Sequence, residues 1–150
     1  MVDKTEILTK VMLYVIEVVG NKHKELGMQA TGEWLKALDY KIEGNIGYLV
    51  GLDYTEYLVK GREPGKRPPI KPIEKWVKAK FGISGGRGRS VAFAVANKIK
   101  EQGTTWKQKG GSDLLEILNS NEVTNKINEI VGEVFTITSK QLITRQLQNV

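Results

Sequence analysis

The chain has 150 residues, 40% of them hydrophobic and 27% charged, with a net charge of +6, no cysteine and one histidine, His23. That length allows one folded domain with a sizeable core, while the cysteine and histidine counts exclude disulfides, thiolate metal sites and multi-histidine centres. No apolar run reaches the roughly 18 residues of a membrane span, and the start MVDKTEILTK lacks a signal-peptide charge pattern, so we expect a chain made and assembled inside a cell, with no membrane partner.

Residues 5–26 predict a helix. Ile7, Val11, Val15, Val18 and Val19 make one apolar stripe, which Leu8, Met12 and Ile16 widen. Asp3 or Thr5 suits its cap, Lys22, His23 and Lys24 suit the macrodipole at its last turn, and Gly27 ends it. A histidine in that place reads as a surface residue. Residues 34–43 alternate imperfectly, Gly44-Asn45 is a tight-turn signal, and Ile46, Tyr48 and Val50 share one face of a returning strand. The expectation is a hairpin over 34–52, followed by a helical turn or continued strand over 53–59.

All four prolines, Pro64, Pro68, Pro69 and Pro72, fall in the stretch that follows. Each fixes its own φ and biases the preceding residue toward extended backbone, so residues 60–72 read as a stiff arm. Pro72 then suits the first turn of a helix carrying Ile73, Trp76, Val77 and Phe81. Charge concentrates here as well. Ten cations between Lys60 and Arg89 meet only Glu63 and Glu74, a local +8 that leaves the rest of the chain at −2. Such a patch fits phosphate backbones, an acidic protein surface, or plain solvation.

Residues 82–89, GISGGRGR, read as a flexible basic loop, with Ser90 as cap of a helix over 91–102. A phosphate cradle is the weaker reading, because the lysine and glycine spacing of a P-loop is missing and no strand precedes it. Residues 104–111 read as a polar loop holding Trp106, and Ser112 as the cap of a helix with Leu114, Leu115 and Leu118. Residues 123–131 continue helical. Residues 133–138, EVFTIT, are rich in β-branched side chains and predict a third strand; residues 139–148 are open between helix and extended tail. The fold class is α+β, a small mostly antiparallel sheet with helices on one face, organised as a single domain over 1–150.

For chemistry the residues offer little. Asp39, Glu43, Asp53 and Glu56 lie near the hairpin, but nothing fixes them as a catalytic pair, and no cofactor or metal site is expected. Trp34, Trp76 and Trp106 read as core or interface anchors, Trp76 foremost.

Three pieces occur in order: Thr31-Gly32-Glu33-Trp34-Leu35 entering a hairpin; the tyrosine-bearing segment 46–60 running into Gly61-Arg62-Glu63-Pro64-Gly65-Lys66-Arg67-Pro68-Pro69; and Ile73-Glu74-Lys75-Trp76-Val77 through Phe81-Gly82-Ile83, a helix and Gly103-Thr104. This order resembles the small neck and tail-completion proteins of tailed bacteriophages over roughly residues 30–105, with residues 112–150 as a variable extension. The resemblance implies a non-enzymatic virion protein, assembled in the host cytoplasm, forming a homo-oligomeric ring or collar at the head–tail connector. It implies portal, adaptor or tail proteins as partners and non-specific contact with channel DNA. The docking-arm residues would be Tyr57, Arg62, Pro64, Lys66, Arg67, Pro68, Pro69, Lys71 and Trp76, with Arg87 and Arg89 as candidates for DNA or acidic-partner contacts. The alternative is a small basic nucleic-acid-binding protein, although helix-turn-helix, zinc-finger and aromatic single-strand motifs are missing.

Overall fold

The computed structural model describes residues 2–148. In chain order it gives helix α1 (Lys4–Glu25), short helix α2 (Glu33–Ala37), strands β1 (Asp39–Glu43) and β2 (Ile46–Val50), and helices α3 (Thr55–Lys60), α4 (Ile70–Phe81), α5 (Gly85–Gln102) and α6 (Thr105–Gln108). A 3-10 turn at Glu116–Asn119 and the long helix α7 (Asn121–Gln148) follow. The class is α+β: helices dominate, and the sheet is one antiparallel pair. Backbone contacts divide the chain into two compact units. The first takes residues up to Lys22, Leu38–Gly51 and the segment from Glu116 onward; the second takes His23–Ala37 and Leu52–Leu115.

In the first unit, the Asp3 carboxylate caps α1 by accepting the Thr5 N–H at 2.8 Å. Met12 and Val19 of the apolar stripe are buried. The hairpin turns at Gly44 (φ +61°) and pairs Tyr40 with Leu49 and Ile42 with Gly47, which form its covered face. Gly47 leaves room for the Met12 side chain, since a Cβ there would lie 2.6 Å from the Met12 sulfur and the thioether would have to shift. The opposite face turns Ile46, Tyr48 and Val50 to solvent. Ser120 accepts the Val123 N–H and starts α7, whose Val123 and Val134 are buried.

Residues 133–138 are therefore not a third strand but the middle of α7. Val134 continues the helical stripe of Val123, Ile127 and Ile130, and its burial selects the helix over local β-propensity. The threonines that argued for a strand are satisfied within the helix: Thr136 Oγ1 donates to the Gly132 carbonyl at 2.8 Å and Thr138 Oγ1 to that of Val134 at 3.0 Å. Residues 139–148 are helical too.

In the second unit, the expected long strand from Trp34 fails for a specific reason. Trp34 sits in α2, is 3% exposed, and its indole N–H donates to Thr55 Oγ1 at 2.8 Å. Thr55 Oγ1 in turn donates to the Leu52 carbonyl, tying α2 to the start of α3. A buried indole finds a partner this way only if it points to one place. His23 is also not at the surface. It is 3% exposed, its ring stacks on Trp34 with centroids 4.5 Å apart, and its Nδ1 has no hydrogen-bond partner. Beside it, Lys80 Nζ donates to the Gly27 carbonyl at 2.6 Å, closing the end of α1.

Helices α4 and α5 pack on each other, with Val77, Ala92 and Ala96 fully buried. The expected flexible loop 82–89 is mostly helix, because α5 begins at Gly85 after Ser84. Gly88 is buried, and a Cβ there would lie 2.8 Å from the Ile83 carbonyl oxygen, so close approach of the turn outweighs the poor helix propensity of glycine. Ser90 lies inside the helix and donates to the Gly86 carbonyl rather than capping. Pro72 occupies the first turn of α4, two residues after its start at Ile70. Ser112 starts no helix; its hydroxyl donates to the Leu58 carbonyl at 2.6 Å.

Trp76 is half-buried and meets Phe81 edge-on with centroids 5.4 Å apart, so Trp34 rather than Trp76 is the core tryptophan. Trp34→Ala is expected to cost about 3–5 kcal/mol and Trp76→Ala less than about 2, read from urea midpoints; equal costs would contradict this ranking.

Burial and the Lys80 charge hold the His23 pKa below its ordinary value of 6.5. Below pH 6.5 the unfolded chain therefore binds a proton that the folded chain resists, and stability falls as pH falls, by at most about 1.4 kcal/mol per pH unit for one group. The urea midpoint of the native chain should drop between about pH 7.5 and 5.5, and His23→Gln should flatten that slope. Parallel curves for the two proteins would remove His23 as the cause.

Candidate docking surface

The proline arm, residues 61–69, lies in the second unit and is fastened along its length. Arg62 N–H donates to Thr104 Oγ1 at 2.9 Å, Thr104 N–H donates back to the Arg62 carbonyl at 3.0 Å, and Gly65 N–H reaches the Lys100 carbonyl at 2.7 Å. The arm thus borrows the end of α5 as backbone partner for the Arg62 amide and carbonyl and the Gly65 amide. Two glycines make the approach possible. Gly61 (φ +80°) is buried, and a Cβ there would lie 2.5 Å from Lys107 Cβ and 2.7 Å from its amide nitrogen; at Gly103 (φ +73°) a Cβ would lie 2.6 Å from the Arg62 carbonyl oxygen.

A tryptophan does hold the root of this arm, but it is Trp106. Its indole N–H donates to the Tyr57 carbonyl at 2.6 Å, while Ser112 N–H donates to the Val59 carbonyl at 2.8 Å. Lys107 on the same short helix pairs with Glu63 at 3.1 Å. Trp106 reads as an anchor in the sequence and Ser112 as a helix cap, but the part that these two, Thr104 and Lys107 play in holding the arm is hidden there, because their partners lie 42 to 54 residues away. Their one local signal is Gly103-Thr104 directly after a helical run.

The arm residues expected at an interface divide into two groups. Tyr57, Arg62, Pro64 and Lys66 line an open groove of about 430 Å³, together with Lys60 and Lys107. Arg62 stacks over the Tyr57 ring at 5.2 Å, and Glu56 neutralises Lys60 at 3.0 Å. Arg67 instead stands over Phe93 of α5 at 5.9 Å, and Arg89 stands over the same ring at 5.8 Å and pairs with Glu74 at 3.7 Å. Pro68 is buried, whereas Pro69, Lys71 and Arg87 are exposed and Trp76 is half-buried. Of the four carboxylates near the hairpin, Glu43 pairs with Lys41 and Glu56 with Lys60.

The arrangement can present cations from an ordered backbone. Lys66, Arg67 and Lys71 are all exposed around a segment whose φ angles and hydrogen bonds are already fixed. An acidic side chain or a phosphate would meet them with little ordering left to do. Compared with protein-family models, curated proteins and solved structures, the chain matches none.

Gly61→Ala and Gly103→Ala should each destabilise by more than about 2 kcal/mol, since both add strain at positive φ and a steric clash. Gly65→Ala has positive φ but open space around it, so its cost should stay near about 1 kcal/mol. Thermal midpoints that rank Gly65 with the other two would show that the arm is not clamped at its ends.

Proposed function

We propose that this chain is a non-enzymatic structural protein of a tailed-phage virion, forming part of an oligomeric ring or collar at the head–tail connector or tail-completion position. The observation that carries the reading is an ordered, proline-stiffened arm that holds its cations outward, in a stretch whose residue order resembles phage neck proteins. A docking element of this kind gains because its conformational entropy is lost at folding rather than at assembly. Its partners in this reading are further copies of the chain and the portal, adaptor or tail proteins beside them, with channel DNA touched through charge alone.

A basic nucleic-acid-binding protein is the competing reading, favoured by the exposed Lys66, Lys71, Lys75 and Arg87. Salt separates the two. A protein neutralising several phosphates loses affinity steeply between low and physiological salt. The expected outcome is weak, non-specific duplex binding, together with failure of Lys66→Glu/Arg67→Glu to join heads to tails in a reconstituted assembly, although the variant folds normally. Tight, steeply salt-dependent DNA binding with normal joining would transfer the function to nucleic acid.

A further inference from the structure

Two apolar rows of the first unit face solvent, and the arm explains neither. One is the outer face of the hairpin, Ile46, Tyr48 and Val50, with Ile46 56% exposed. The other lies on α7, where Val131, Phe135 and Leu142 recur with helical spacing and Phe135 is 59% exposed. Neither row serves the fold: the hairpin already covers its other face, and α7 buries the stripe of Val123 and Val134. Large apolar side chains gathered in rows mark surfaces meant to be covered.

The two rows match in length. Ile46 to Val50 spans about 14 Å at the strand rise of ~3.4 Å, and Val131 to Leu142 about 16 Å at the helix rise of ~1.5 Å. Their flanking charges are complementary. Beside the β2 row, β1 turns Asp39, Lys41 and Glu43 outward, and Glu43 already pairs with Lys41, leaving Asp39 in excess. Beside the α7 row, Arg145 follows Leu142 by three residues and has no ion-pair partner among the described residues. Hairpin against hairpin would instead oppose one acidic edge to another, which costs energy.

We propose that the α7 row of one copy docks on the outer hairpin face of the next copy. The contact is heterologous, helix to sheet, and so propagates from copy to copy and can close into a ring. It rests on the oligomeric reading above and names the surfaces that would join its subunits.

Sedimentation velocity on the full chain tests it with two variants, Phe135→Asp on the helix and Tyr48→Asp on the hairpin, each checked for native helicity by circular dichroism. The native chain should assemble, and each variant alone should be monomeric, with association weakened roughly tenfold or more. Mixed in equal amounts, the variants should form a heterodimer and stop there. The intact hairpin of one then receives the intact helix of the other, and both remaining faces are damaged. If either Asp variant loses helicity, Phe135→Ser and Tyr48→Ser replace them.

A native chain that stays monomeric at high micromolar concentration overturns the contact. So does a hairpin variant that assembles normally, which would point to helix on helix, and so does a mixture that gives no heterodimer. Rings that persist in both variants would sink this interface but leave the ring reading intact. A confirmed heterodimer, with the chain missing from the head–tail junction of native particles, would do the reverse.

Discussion

The exchange between Arg62 and Thr104 is the constraint on which the second unit depends. Two hydrogen bonds across forty-two residues of sequence fix the proline arm to the end of α5. Prolines cannot donate, so an arm rich in them has few amides with which to anchor itself. Of its remaining amides, those of Arg62 and Gly65 find acceptors on or just after α5. Gly61 and Gly103 permit the approach, and Trp106 and Ser112 hold the preceding residues Tyr57, Leu58 and Val59 by their carbonyls. Stiffness here therefore has two sources: covalent restriction at four prolines, and a clamp of tertiary hydrogen bonds that no local sequence window contains.

That division explains how much could be read from the residues. Features set by nearby atoms were legible: the α1 stripe and its Asp3 cap, the turn at Gly44-Asn45, the shared face of Ile46, Tyr48 and Val50, though not that it points outward, and the proline arm itself. Features set by distant partners were not. Trp34 looks like a strand residue until Thr55 is known to accept its N–H. His23 looks exposed until Trp34 is known to lie against it. Phe93 carries no local sign that Arg67 and Arg89 share its ring. For residues 133–138, β-propensity and helical periodicity disagreed, and burial of Val134 decided for periodicity.

The local charge of +8 also acts differently from its formal value. Glu56 and Glu63 each hold a lysine of the groove, and Glu74 holds Arg89. Exposed pairs of this kind contribute little to stability, about 0–1 kcal/mol each, but they fix where positive charge is left over. Of the other cations in this stretch, Lys66, Arg67 and Lys71 are exposed on and just after the arm, and Lys75, Lys78 and Arg87 are exposed on α4 and α5. Arg67 stands over an aromatic face, which lowers the entropy lost when its guanidinium engages a carboxylate or phosphate. Part of the leftover positive charge thus lies on a segment that prolines and tertiary hydrogen bonds hold in place.

A chain can be basic for solubility alone, and then its cations need no fixed geometry. It can also expose single apolar residues without consequence. Leu13, Tyr54 and Phe81 are exposed singly here. Part of the surplus charge, however, stands on a clamped backbone, and six further exposed apolar residues form rows on a strand and a helix that have already satisfied their own cores. Such rows are costly for a free monomer, because each invites unspecific association. In the proposed helix-to-hairpin contact a second copy would cover them, and Asp39 beside one row and Arg145 beside the other would disfavour some wrong pairings. Charge on an ordered arm and apolar rows with opposed borders support the proposed assembly role. On the arm side the groove is open, and Glu56–Lys60 and Glu63–Lys107 pair along it, so Arg62 and Lys66 are the cations it leaves for a partner in the proposed role.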